Sequence, residues 1–392
     1  VEADGYHQAL HVFFDPIRDF PAVAHGKAHI LSFGPGVHEI GCMDLESDTA
    51  VLIDRDAYLY GSFRAVCAEN IDILGYGVID GSREVRTDES RLLLNNYTAP
   101  LPADRENILR RLKQRHVLDG ILRFYRCRHI RVEGPTLRDA ATFAVIPAGC
   151  EDVTLENLKT IGMWRYNADG IDLFNCRDVR IRNCFLRNFD DCVVIKGIVG
   201  WDTADNADIL VEGCVVWCDW GRNLELGAET NAPAFRNILF RNCDCIHGST
   251  AFLDIQHHNR ADIGQVTFED IRVEYTKHQL PDVFQNDMDA PYPTDTPVRH
   301  PLLFCLPIYR SGLFAEDGLN GRIHDITFRN IRILTDAPEV PVPESAFLGL
   351  DAEHTVERIC IAGVTCNGKR LATREELRLH INEFVRDVTI LP

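Results

Sequence analysis

Two short segments hold residues able to do acid–base chemistry: NADGID, residues 167–172, and NFDDC, residues 188–192. The first supplies Asp169 and Asp172. The second sets Asp190 and Asp191 side by side, directly before the β-branched run Val193–Val194–Ile195. Asp169 and Asp191 are 22 residues apart. If that spacing is one turn of a repeating scaffold, the carboxylates stack on one outer face. A crowd of this kind cannot ionise fully, because each anion raises the pKa of its neighbours. One protonated carboxyl beside ionised ones is what glycosidic hydrolysis requires: a proton for the leaving oxygen and a base for the water.

The surrounding residues suit the same chemistry. All four tryptophans, Trp164, Trp201, Trp217 and Trp220, fall around these aspartates, with Tyr166 among them. Flat aromatic faces suit the apolar faces of sugar rings, although an isolated Trp reads first as core packing and only the grouping of four favours a sugar groove. Lys196, Arg222, Glu225 and Glu229 follow within one or two turns and are candidate sugar contacts; Glu225 and Glu229 also read as partners for Arg222. The stretch HGSTAFLDIQHHNR offers His247, Asp254, Gln256, His257 and His258. His257 and His258 are adjacent on a predicted strand and should face opposite sides, so sugar contact or a structural role is preferred to metal binding. No cofactor is expected.

The elements that must position these residues come from a repeat. Segments such as NIDILG, HIRVEG, DVTLEN, DVRIRN, DILVEG, NILFRN, QVTFED, DITFRN and RICIAG share one pattern, with first apolar residues Ile71, Ile130, Val153, Val179, Ile209, Ile238, Val266, Ile326 and Ile359. Most spacings are 23 to 33 residues, and two are near 60, as if a coil carried an insertion or lost its signal. Apolar residues alternate with period two, the mark of strands. Four positions on, every unit has Asn, Gly or Asp, types that tolerate the left-handed backbone of a sharp corner. Strand, corner and strand repeated in this way predict an all-β right-handed parallel β-helix, the hand following from parallel crossovers.

The cysteines fit the same frame. Cys127, Cys150 and Cys176 precede their unit's first apolar residue by three; Cys184, Cys214 and Cys243 follow it by five. They predict two ladders of small buried thiols rather than disulfides or metal ligands. Asn157, Asn183, Asn242 and Asn330 share the corner position and predict an amide ladder satisfying turn backbone. TREELRLHINEF reads as a capping helix, with Thr373 and Glu376 in capping-box spacing. Residues 1–30 are expected to be a covering segment or the remnant of an upstream domain, 31–370 the β-helix and 371–392 the cap. Two insertions, around 95–116 and 277–321, are expected to wall a cleft or make subunit contacts, so a homo-oligomer is one expectation.

Composition sets outer limits. Apolar residues make up 45% and charged residues 26%, as in a folded globular chain. The net charge of −18 argues against nucleic acid and strongly anionic polymers as partners. No apolar run reaches membrane-spanning length. The first residue, Val1, suggests that a leader or upstream domain has been removed. Location stays open: an external glycan implies a periplasmic or secreted protein, whereas unpaired thiols suit a reducing cytoplasm.

NADGID followed by DDC resembles the motif pair of the polygalacturonases, glycoside hydrolase family 28, and FGPGVHEIG and ILGYGVIDG extend the resemblance along most of the chain. The resemblance implies a β-helical inverting hydrolase in which Asp190 is the general acid while Asp169 and Asp191 position and deprotonate water. Two departures stand out. GRNLELG places Arg222 where that family has a histidine. DIQ places Asp254 and Gln256 where it has an Arg-x-Lys pair gripping the substrate carboxylate. An acidic residue there repels a uronate, so a neutral glycan is expected. The chain is also similar to the dextranase and isopullulanase group, glycoside hydrolase family 49, which acts on neutral glucans. A polysaccharide lyase or transferase on the same fold and a non-catalytic glycan binder are the alternatives, since the fold alone assigns no activity.

Overall fold

The computed structural model describes residues 9–84, 106, 120–198, 204–276, 299–310 and 318–392. Its strands form a right-handed parallel β-helix with three faces. Twelve strands, from His29–Phe33 to Val385–Leu391, make the first face. The other twenty-one make two ladders joined at Ala57–Val66, which pairs with both Val78–Asp80 and Leu122–Tyr125. The second face includes Ile171–Phe174, Val193–Gly197, Arg222–Thr230 and Ala251–His257. The third includes Lys159–Ile161, Phe185–Asn188, Val215–Cys218 and Asp244–His247.

The repeat sets the register of the first face. Ile71 pairs with Ile130, and the pairing continues through Val153, Val179, Ile209, Ile238, Val266, Ile326 and Ile359. All nine point inward and are at most 2% exposed, each burial worth about 1.5–3 kcal/mol. The two long gaps are therefore insertions within a coil, because their flanking strands pair directly. The bulk of both insertions lies outside the described residues. All nine corner residues have positive φ, from 54° at Asn183 to 136° at Gly75. A second left-handed column lies one residue before each first apolar position; there Asn70, Asp152, Asp178 and Asp208 have φ between 52° and 63°.

Both predicted thiol ladders are present, with all six cysteines buried and free. The corner asparagines behave differently from expectation. Asn157 Nδ2 donates to Asp15 and Asn330 Nδ2 to Asp270, each at 3.0 Å, while Asn242 accepts from Arg272. These three tie neighbouring side chains rather than turn backbone.

The predicted C-terminal helix is a single turn. Leu377 N donates to Thr373 O, and Thr373 Oγ1 accepts from Glu376 N, but Arg378 then turns to φ 47°. Leu377, Leu379 and Ile381 recur with period two, so the chain continues as strand Leu379–Ile381. Val385–Leu391 then adds a last rung to the first face.

Residues 9–18 run as a strap across the third face. Phe13 packs on Phe185 with ring centroids 5.2 Å apart, Tyr76 Oη donates to Pro16 O, and Asp15 pairs with the buried Lys159. Lys159 is 4% exposed at its side chain, so removing its counter-ion leaves a buried charge inadequately paired. Asp15→Ala is expected to destabilise the fold by about 1–3 kcal/mol and to sensitise the strap to limited proteolysis. Urea unfolding checks the first and gel analysis the second; an unchanged midpoint would mean that the strap is held by its aromatics alone.

Candidate active site

The corner between the third and second faces gathers the aspartates. Asp190 and Asp191 occupy the turn between Phe185–Asn188 and Val193–Gly197, and Asp169 occupies the equivalent turn one coil earlier. Backbone bonds lock these turns together: Gly170 N donates to Asp191 O, and Cys192 N to Arg222 O. On the adjoining strands, the inward positions are taken by Leu173, Ile195 and Leu224, so their neighbours point outward. Asp172, Val194, Glu225 and Asp254 follow one another across four rungs of this outer side.

Six carboxylates thus surround two cations. Lys196 Nζ donates to Asp169 Oδ2 at 3.1 Å and lies 2.9 Å from Asp172 Oδ1. Arg222 Nε donates to Asp254 Oδ2 at 3.2 Å and lies 3.8 Å from Glu225; its backbone N donates to Asp191 Oδ1 at 2.9 Å. Gly221 fits between the paired aspartates. A Cβ there would lie 2.5 Å from Asp191 Oδ1 and closer still to Asp190 Oδ1.

The sequence predicts carboxylates stacked on an outer face, but the cluster is nearly enclosed. Asp190 and Asp191 retain 5% and 6% exposure, Asp169 only 1%. The strands of this face are buried on their outer as well as their inner side, whereas first-face strands such as Arg177–Arg182 alternate. Enclosure decides the electrostatics, because burial penalises the charged form. Burial, then Asp191 and Asp169, push Asp190 well above the usual carboxylate range. Burial raises Asp169 to about 7 against the pull of Lys196. Burial also pushes Asp172 and Glu225 well up, and raises Asp254 to about 6 against Arg222. Burial disfavours the charge on Lys196, yet Asp169, Asp172 and Glu229 hold its pKa well above the ordinary value.

The aromatics divide. Trp220 stacks on Phe189 at 5.8 Å and meets Tyr166 edge-on at 5.5 Å, with the Arg299 guanidinium 5.2 Å from its ring. This group stands at the aspartate turns. Trp164 lies against Arg165 on the preceding coil, where Arg165 pairs with Asp139. Trp217 is elsewhere. It lies on the third face, stacked on His247 at 4.2 Å, with Arg187 over its ring and His11 of the strap beside it. The chain turns the corner between Trp217 and Trp220, so the two face different ways. Trp201 lies outside the described residues.

His257 is also absent from the site. It is fully buried, its ring nitrogens engaged by Thr230 Oγ1 and Ala261 O, and burial pushes its pKa down to about 3. The strand alternation that points Asp254 and Gln256 outward turns His257 inward. Gln256 lies one position from it on the outer side, 3.2 Å from the His258 ring. Glu229 is half-buried near Lys196. Phe143, whose ring lies 4.3 Å from Lys196 Nζ, and Arg299 escape the sequence reading, because neither shares the spacing that links the carboxylates. Among the described residues no His, Cys, Asp and Glu group has the arrangement to hold a metal ion.

Three stacked ladders with an acid-rich outer corner define a pectin-lyase-like β-helix. The chain belongs to the glycosyl hydrolases family 28, whose pattern matches residues 62–297, more than half of its length. It is 22% identical over 274 residues to a dextranase from Arthrobacter globiformis, covering 64% of this chain and 40% of that protein. It is similar to the hyperthermoactive exopolygalacturonase from Thermotoga maritima, with TM-score 0.62 and 18% identity, over 93% of this chain and 84% of the other. Dex49A from Penicillium minioluteum gives TM-score 0.56 and 13% identity, over 94% and 60%. The chain thus spans less than half of the curated dextranase, and at these identities the structural likeness concerns the fold.

Proposed function

We propose that this protein hydrolyses O-glycosidic bonds of a neutral, hydroxyl-rich polysaccharide or oligosaccharide by single displacement. Asp190 serves as general acid, and Asp169 with Asp191 prepares the water. The observation that carries the reading is the shared corner: three aspartates from two successive coils, with Asp190 biased towards its neutral form beside two further carboxylates. A protonated acid and an adjacent base are the two halves of an inverting mechanism.

Preference for a neutral substrate is supported by the outer positions. Asp254 is paired with Arg222, while neither Glu225 oxygen receives a hydrogen bond from a donor among the described residues. A uronate would add another anion to a corner that already holds six carboxylates and two cations. Lys196 and Arg222 are both engaged by carboxylates, which counts against either as the free base of a lyase.

The test is incubation of purified protein with neutral and acidic glycans, followed by reducing-end assay, ultraviolet absorbance and anomeric NMR. Expected are new reducing ends from a neutral glycan, inverted at first release, and none from polygalacturonate. An ultraviolet-absorbing unsaturated product would replace the reading with a lyase; retained configuration would remove single displacement; binding without turnover would leave a glycan receptor.

A further inference from the structure

We propose that Lys196 is a positioning residue rather than a substrate contact: together with Asp172 it clamps Asp169 and holds it as an anion. The proposal rests on the hydrolytic reading above for what that anion does, but its geometry stands independently. Lys196 Nζ reaches Asp169 Oδ2 at 3.1 Å and Asp172 Oδ1 at 2.9 Å, and the three side chains are 6%, 2% and 0% exposed. The Phe143 ring covers the ammonium at 4.3 Å. An ammonium directed at two carboxylates under an aromatic lid has little left to offer a sugar hydroxyl.

The two carboxylates share one buried ammonium, and two buried acids so placed cannot both ionise freely, so one of them keeps a proton. Burial pushes Asp172 well up and Asp169 only to about 7, so Asp172 is the better place for it. Asp169, which receives the Lys196 hydrogen bond, then keeps its charge. The other groups facing this triad are Asp190 and Asp191 from the next turn, and Glu225 and Glu229 from Arg222–Thr230. Asp254 on Ala251–His257 and Arg222 complete the set. All but Arg222 are acids, and Arg222 is engaged by Asp254 and lies close to Glu225 and Asp191. Among the described residues, Lys196 is the cation that opposes protonation of Asp169.

The test is the titration of Asp169, followed by carboxyl-carbon NMR of aspartate-labelled protein and assigned by the signal lost in Asp169→Asn. It is compared with the acidic limb of kcat/KM. Lys196→Met should tighten proton binding at Asp169 at least tenfold, about one pH unit, and move the acidic limb up equally. Adding Asp172→Asn, which removes the neighbouring acid, should move both back down. Asp172→Asn alone should not raise either, which tests the clamp even if Lys196→Met fails to fold. An unmoved Asp169 titration in Lys196→Met, or a raised one in Asp172→Asn, overturns the proposal. If the expected NMR shifts appear while no glycan is cut, the clamp stands and the hydrolytic reading falls.

Discussion

Asp190→Asn is expected to lower kcat by about 100- to 10,000-fold while oligosaccharide affinity and thermal stability stay close to the parent's. The amide keeps the volume and polarity of the acid but has no proton to transfer to a leaving oxygen. The sign of the pH dependence follows from the site. An acid works while protonated, so the parent's rate should fall as pH rises through the raised Asp190 value. On the other side the rate should fall as pH drops and Asp169, near 7, takes up its proton. The limbs belong to a coupled set of carboxylates, so they report the cluster as a whole. In Asp190→Asn the basic limb should vanish. Calorimetric titration and a pH–rate series settle the matter together; a basic limb that survives assigns the acid to another group.

Gly221→Ala should be nearly as damaging without touching a titratable group. The added methyl would meet both aspartate oxygens at 2.5 Å or less and Asp191 N at 2.7 Å, well inside van der Waals contact. The carboxylates must move, and the bond from Arg222 N to Asp191 Oδ1 must lengthen. Displacing reacting groups by about 1 Å costs on the order of 100-fold in rate. The expected result is a kcat loss of about that size, in a protein whose circular dichroism remains that of the parent. Parent-like kinetics would show that the positions of these two oxygens do not matter to turnover.

Much of this was legible in the sequence because a solenoid turns spacing into neighbourhood. The first apolar residues predicted the first face rung by rung, and Asn, Gly or Asp four positions later marked corners that all take positive φ. The carboxylates were legible for the same reason, since Asp169 and Asp191 are one coil apart. What spacing does not encode is direction around the coil. Trp217 and Trp220 are three residues apart, but Trp217 lies on a strand of the third face while Trp220 stands in the corner that follows. His257 needed the strand's inward–outward phase, which the packing of Leu253 and Ile255 into the core fixes. The C-terminal helix was misread because the capping pair Thr373 and Glu376 does form its hydrogen bond, while the period-two run behind it favours a strand. Arg299 reaches Trp220 from across an insertion, a distance that no local pattern reports.

The direct pairing of Ile71 with Ile130, and of Val266 with Ile326, has a consequence for how such a protein changes over time. Material can be spliced between rungs without shifting any rung by one step. The excursions can therefore change length while the aspartate corner keeps its alignment. Separating the inherited frame from the adjustable trim in this way lets loops vary without disturbing the stacked carboxylates.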